Sequence, residues 1–294
     1  MHDELIKLDI IKDSKHGKVR DIYDLGDTLL LVTSDRISAF DVVFPNLIPD
    51  KGKILNGISV HFFKSTKDII PNHFLTDQVD EYPAELMPFK DYLAGRSMLV
   101  KKTRVIPFEC IVRGYISGSA WNEYKRTATV GGMMIAEDMQ ESQKFNTPLF
   151  TPSTKADDGH DENISYREMM AHMDEWIART LKDKSLALFS YAHELLKKQG
   201  IILADTKFEF GTIGGEIILI DECLTPDSSR FWELGSYEIG TSPKSFDKQF
   251  IRDYLSSTGW DKQPPAPALP QDVIDKTRAK YLSIYNIITG SDLL

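Results

Sequence analysis

The chain has 294 residues, 41% hydrophobic and 27% charged, which fits an ordinary globular protein with a sizeable core in one or two domains. Its formal net charge of −9 argues against a general nucleic-acid or anionic-membrane binder, which needs an excess of Lys and Arg. Any anionic substrate must therefore be held by a local basic cluster or by a metal.

The N-terminal stretch MHDELIKLDIIKDSKHGK alternates charge with short apolar pieces and has no apolar segment of a secretory signal. No run approaches the length of a membrane span, so a cytoplasmic protein is expected. The cysteines, Cys110 and Cys223, are too few for a zinc cluster or a disulfide framework and read as buried strand thiols.

Gly17 to Tyr23 and Leu29 to Thr33 read as two strands turning at Gly26. Gly17 beside Lys18 and Arg20 can lay amides and cations over phosphates; an exposed basic strand is the equal alternative, since neither phosphate-loop pattern is present. Ser34 to Asp41 is polar at a strand end, with Ser38 and Asp41 placed for ligand contact or for an ordinary Asx or Ser turn. Lys53 to Lys67 has helical spacing, with Ile54, Ile58, Phe62 and Phe63 inward and His61 as a packing residue. Ser97 to Val112 reads as a further strand pair broken at Pro107, basic at Lys101, Lys102 and Arg104. This passage is a candidate hinge beside a nucleotide.

Arg113 to Trp121 reads as a loop with two glycines, two serines and an arginine. It suits an anion, or it is merely a connection into a helix. Thr151 to Ser165 is a long polar loop in which Lys155, His160 and Asp161 carry the available chemistry. Ser165 and Glu168 form a capping-box pattern opening a helical region through Trp176, Ile177, Leu181, Leu186, Phe189, Leu195 and Leu196, all expected in the core and stopped by Gly200. Phe246 to Ser256 is expected helical, with Lys248 and Arg252 one turn apart on one face. Gln263 to Pro270 is a stiff connector, and Gln271 to Thr289 a final helix ended by Gly290.

The richest stretch is Leu203 to Trp232, read as two strands joined at a Gly-rich turn. A two-residue turn at Gly214-Gly215 pairs Ile213 with Glu216 and puts Glu209 and Asp221 on opposite faces. A three-residue loop pairs Ile213 with Ile217, sets Glu209 directly opposite Asp221, and gathers Lys207 with both. The second register is the one expected here. Carboxylates opposed at about 4 Å repel by roughly 1 kcal/mol in water and about 4 kcal/mol at an effective dielectric near 20, so a cation must accompany them. Lys207 alone gives a surface ion-pair ladder; a divalent ion carrying nucleotide phosphates is the sharper reading.

Eight blocks, GKVRDIYD, TSDRISAFD, ECIVRGYISGSAW, FTPSTKADDGHDENIS, LADTKFEFG, DECLTPDSSRFW, FDKQFIRDYL and DKTRAKY, occur in an order that resembles the phosphoribosylaminoimidazole-succinocarboxamide synthase (SAICAR synthetase) family. The resemblance implies an α+β fold, related to ATP-grasp and protein-kinase architecture, with mainly antiparallel sheets. A β-rich lobe at 1–108 would cover the nucleotide, and a larger α+β lobe at 109–294 would carry the substrate and metal sites, with ATP in the cleft.

The activity implied is ligation of L-aspartate to 5-aminoimidazole-4-carboxylate ribonucleotide (CAIR) with ATP and Mg2+, through an acyl phosphate, in purine biosynthesis. The small molecules are then the partners, with no nucleic acid or membrane. By the same resemblance Glu209 and Asp221 hold magnesium on the ATP phosphates, and Lys207 meets the substrate carboxylate or the transferring phosphoryl. Gly17, Lys18 and Arg20 cover the triphosphate, and Lys101 and Lys102 pass the adenine. Arg113, Ser119, Arg230, Lys248 and Arg252 bind CAIR, with Ser38 and Asp41 facing it. Lys155, His160 and Asp161 receive aspartate. A small-molecule or lipid kinase and a non-enzymatic nucleotide binder are the rival classes.

Overall fold

A computed structural model describes residues 14–155 and 162–293. His160 and Asp161 lie outside the described residues. The chain divides into two compact units, and the division is not the one at residue 108 expected from the sequence. One unit gathers the described residues up to Lys64, His73–Thr103 and the described residues from Lys248 onward; the other gathers Ser65–Asn72 and the described residues of Arg104–Asp247.

In the first unit, Gly26 turns the chain at φ +93°, and Arg20–Asp24 pairs antiparallel with Thr28–Thr33. These strands lie in a five-stranded sheet in the order Ser14–His16, Arg20–Asp24, Thr28–Thr33, Ser97–Lys101, Phe74–Thr76. Alternate residues Tyr23, Leu30, Val32 and Leu99 form a core with Tyr82, Leu86 and Leu93. The helix Lys51–Ser65 buries Ile54, Ile58, Phe62 and Phe63 as its spacing requires. His61 packs edge-on against Phe62, and burial pulls its pKa below the ordinary imidazole value. Asp35 accepts a hydrogen bond from the Gly52 amide at 2.8 Å, so a carboxylate satisfies the helix's first turn.

The C-terminal helices belong to this unit for a hydrophobic reason. Ile251 and Leu255 of Gln249–Ser257, and Val273 and Ile274 of Gln271–Thr289, bury against Ile37, Ala39, Phe44 and Ile48. Those last four residues lie on and just beyond the hairpin of Arg36–Ala39 and Val42–Leu47. The connector's Leu269 fills the same cluster, and its amide donates to Asn46. Distance along the chain hides such a pairing from sequence reading.

The second unit is built on one long strand, Ile201–Ile213, paired antiparallel with Phe108–Tyr115, Glu216–Ile220, Ser229–Glu233 and Arg104–Val105. Lys144–Phe150 extends the sheet beyond Phe108–Tyr115. The helical region opens with the expected capping box at Ser165 and Glu168, but it is two helices, Tyr166–Ala171 and Glu175–Lys198. Trp176, expected in the core, is 54% exposed. The buried stripe is Ala178, Leu181, Leu188, Phe189, Ala192 and Leu196, and Trp176 stands outside it in the first turn.

The expected loop from Arg113 to Trp121 is also shorter. The strand carries Arg113 through Tyr115, and a helix begins at Gly118. Cys110 is a buried strand thiol as expected; Cys223 is buried but follows the strand Glu216–Ile220. Burial pushes both thiols far up, so neither is poised as a nucleophile. Among the described residues no helix is long and apolar enough to cross a membrane.

Ile251 is fully buried between the C-terminal helices and the Arg36–Leu47 hairpin. Ile251→Ala should therefore lower stability by about 2–5 kcal/mol, measured as a reduced urea midpoint. A loss within 0.5 kcal/mol, the range of ordinary surface substitutions, would show that these helices do not share the first unit's core.

Candidate active site

The hairpin register differs from the one expected. Ile213 pairs with Glu216 and Glu209 with Ile220, so the turn is the two-residue Gly214-Gly215. Both glycines have positive φ, +59° and +85°, the backbone that a tight hairpin turn matching strand twist demands. Turn chemistry sets the register here, not the grouping of charges. A regular strand would now send Asp221 to the face of Phe208 and Phe210. Asp221 instead takes φ +66° just past the strand, which breaks the alternation, and its charge acts on Lys207.

The carboxylate opposite Glu209 is Glu109: the antiparallel register that pairs Phe208 with Cys110, continued by one residue, brings the two together. Sequence reading missed Glu109, because nothing local to ECIVRG reveals which long-range strand it will face. Lys207 lies between the two acids. Its ammonium donates to Glu109 Oε1 at 2.8 Å and to Glu209 Oε1 at 2.7 Å. Ser153 donates to Glu109 Oε2 at 3.0 Å, and Lys155 pairs with Glu209 Oε2. Burial opposes charging Lys207, yet Glu209, Asp221 and Glu109 together outweigh it and hold its pKa well above the ordinary lysine value.

Two residues back on the same strand face, Asp205 opposes Arg113 and Arg230 on the flanking strands. Arg230 donates to Asp205 Oδ2 at 2.6 Å, and Arg113 approaches the same oxygen at 3.5 Å. Arg113 also donates to Thr151 Oγ1 at 2.9 Å and to Ser119 Oγ at 3.3 Å. Desolvation pulls the Arg113 pKa down against Asp205, whereas Asp205 raises that of Arg230. A Cβ on Gly118 would sit 2.3 Å from Arg230 Nη2, and φ there is +55°, so glycine gives the guanidinium its place.

The remaining predicted residues divide between the units. In the first, the Gly17 amide closes on the Arg20 carbonyl at 2.8 Å. Lys18 pairs with Asp41, although the resemblance gave them different ligands. Asp41 is exposed in the Phe40-Asp41 turn, while Ser38 is buried in its strand. Lys101 and Lys102 are exposed, and Lys102 pairs with Asp24 at 2.5 Å. Lys248 and Arg252, half-buried, lie one helical turn apart in this first unit, joined by the Arg252 amide to the Lys248 carbonyl. In the second unit, Arg113, Ser119 and Arg230 form one cluster, and Lys155, Lys207, Glu209 and Asp221 form or flank the other.

The SAICAR synthetase family model matches residues 13–267. The chain belongs to the SAICAR synthetase family. It is 54% identical over 283 residues to the phosphoribosylaminoimidazole-succinocarboxamide synthase of Elusimicrobium minutum, covering 96% of each chain. It is 52% identical over 280 residues to that of Thermodesulfovibrio yellowstonii, covering 95% of this chain and 96% of the other.

Among solved structures, the SAICAR synthase of Saccharomyces cerevisiae complexed with SAICAR aligns with a TM-score of 0.89 at 44% identity, over 99% of this chain and 98% of that one. A SAICAR synthetase in complex with ADP shares the fold at a TM-score of 0.70 and 24% identity, over 95% and 99% of the two chains. The protein is thus an amide-bond-forming ligase of purine biosynthesis with an α+β fold, as the sequence blocks implied.

Replacing Lys207 with Met leaves Glu109 and Glu209 opposed without their shared ammonium and should destabilise the protein by about 1–3 kcal/mol. A lysine pKa raised in the folded state contributes stability fully below the unfolded value near 10 and loses it only as pH climbs through the raised value. The stability gap between wild type and variant should therefore be equal at about pH 7 and about pH 9. A gap that widens by the higher pH would mean that desolvation, not the carboxylates, governs Lys207.

Proposed function

We propose that this ligase joins L-aspartate to CAIR at the expense of ATP, giving SAICAR, ADP and phosphate, and that the charged face of the Ile201–Ile213 strand carries the chemistry. The observation behind this reading is the order of charge along that face. Asp205 lies with Arg113 and Arg230 at one end, and Lys207 and Glu209 with Glu109 at the other. Four residues of extended strand separate the ends by about 13 Å. A guanidinium pair suits the phosphate or carboxylate of a ribonucleotide, and a carboxylate group suits a hard cation with phosphates.

The donor set fits magnesium shared with a nucleotide better than an all-protein cage. Among the described residues no group of three or more His, Cys, Asp or Glu side chains is gathered around a metal position. Glu209 and Asp221 would supply oxygen ligands, with phosphate and water completing the shell. Bound there, the ion would neutralise charge on the ATP phosphates.

The chemical problem is that a carboxylate is anionic and has no leaving group. Transfer of the γ-phosphoryl to the CAIR carboxylate forms a C–O–P bond as the bond to ADP breaks. The aspartate amine then attacks the acyl carbon, phosphate departs, and the amine loses its proton. Lys207, held charged between acids, is suited to steady the carboxylate and the moving phosphoryl without donating a proton. Arg113, Ser119 and Arg230 are assigned to CAIR. The roles of Gly17, Lys18, Arg20, Lys101 and Lys102 toward ATP, of Ser38, Asp41, Lys248 and Arg252 toward CAIR, and of Lys155, His160 and Asp161 toward aspartate rest on the family resemblance alone. A cytoplasmic setting accords with two buried free thiols.

Phosphate release measured with each substrate omitted in turn tests the reaction. Release only when ATP, CAIR and aspartate are all present supports the ligase; phosphoryl transfer that runs through many turnovers without aspartate points to a kinase. Glu209→Gln should cut kcat by at least about a hundredfold with the fold retained by circular dichroism. A near-normal rate at saturating magnesium refutes Glu209 as a metal ligand.

A further inference from the structure

Both oxygens of Glu209 are committed: Oε1 to Lys207 at 2.7 Å, and Oε2 to Lys155. The two lysines are not equivalent. Lys207 has a second carboxylate, Glu109, which Ser153 holds in turn, and its side chain is 26% exposed. Lys155 has Glu209 as its one ion-pair partner among the described residues, and its side chain is 40% exposed. Its backbone amide is fixed to the Pro107 carbonyl at 3.2 Å, so the ammonium can leave by side-chain rotation without moving the chain.

Charge counting points the same way. Among the described residues, Glu109, Glu209 and Asp221 set three negative charges against the two ammoniums, one negative charge in surplus. A dication added to the cluster with both lysines in place overshoots to one positive charge. Exchanged for Lys155, it brings the cluster to neutrality. Repulsion between a dication and an ammonium on the same buried carboxylate, 4% exposed, is little screened.

We propose that Lys155 is a resident counter-ion, holding in the metal-free protein the Glu209 oxygen that a divalent cation takes, and is displaced by that cation to face an anionic substrate. This rests on Glu209 being a metal ligand. It assigns Lys155 a duty distinct from aspartate docking: it keeps the buried acid paired until the ion arrives and makes ion binding release a cation near the reacting groups.

Mn2+ alone, titrated into the full nucleotide-free chain and followed by the electron paramagnetic resonance of the free ion, tests this. Lys155→Met should bind Mn2+ about fivefold more tightly than wild type, equivalent to about 1 kcal/mol, and Glu209→Gln should lose that binding. In wild type, Mn2+ should raise acetylation of Lys155 severalfold, read by mass spectrometry, while Lys207 stays protected. Equal or weaker Mn2+ binding by Lys155→Met, or unchanged labelling of Lys155, overturns the displacement and leaves the metal reading standing. Wild-type affinity in Glu209→Gln overturns both, and no binding by either wild type or Lys155→Met overturns the displacement.

Discussion

Two acids facing one another across neighbouring strands, with one ammonium between them, set the terms for the second unit. Glu109 and Glu209, each within 2.8 Å of one ammonium and so about 5 Å apart, repel by roughly 3 kcal/mol at an effective dielectric near 20, a sizeable share of a domain's whole stability. Lys207 makes the arrangement tolerable because period-two alternation puts it on the face of Glu209, two residues away, within 2.8 Å of both acids. The opposite face of the same strands carries Cys110, Phe208 and Phe210, all buried. A one-residue slip would therefore drive three charges into the core and three apolar side chains out of it. The charged site and the hydrophobic core fix each other's register.

The same alternation makes the face a graded field. At the Asp205 end, two guanidiniums share one carboxylate, which removes most of their mutual repulsion yet leaves one positive charge in excess. At the Glu209 end, the acids outnumber the ammoniums. A chain with a net charge of −9 can still attract an anionic ribonucleotide in this way, because the field felt by a bound ligand is local. Arg113 tolerates burial because Thr151 and Ser119 each accept one of its hydrogen bonds and Asp205 balances its charge.

Legibility in the sequence followed the range of the interaction. The Gly26 turn, the helix Lys51–Ser65, the capping box at Ser165 and the final helix Gln271–Thr289 were readable because caps, turns and 3.6-residue spacing are local. Lys207 and Glu209 were readable as a pair for the same reason. Glu109 was not, since its role appears only when two strands about a hundred residues apart align. The first unit's recruitment of the C-terminal helices was hidden for the same cause. The hairpin register was legible in Gly214-Gly215, which specifies a two-residue turn; the grouping of charges that favoured a three-residue loop is the weaker constraint.

With the turn settled, an uninterrupted strand would have buried the Asp221 carboxylate among phenylalanines, at a desolvation cost larger than any turn preference. The chain avoids this by entering the left-handed region one residue after Ile220. That conformation costs a side-chain-bearing residue about 1–2 kcal/mol, and Asp bears it better than most. The backbone strain is thus smaller than the penalty it averts. What it yields is an acid whose charge reaches Lys207 from a strand whose register points the other way. In this hairpin the grouping of charges is the work of a single dihedral angle, and strand pairing alone does not produce it.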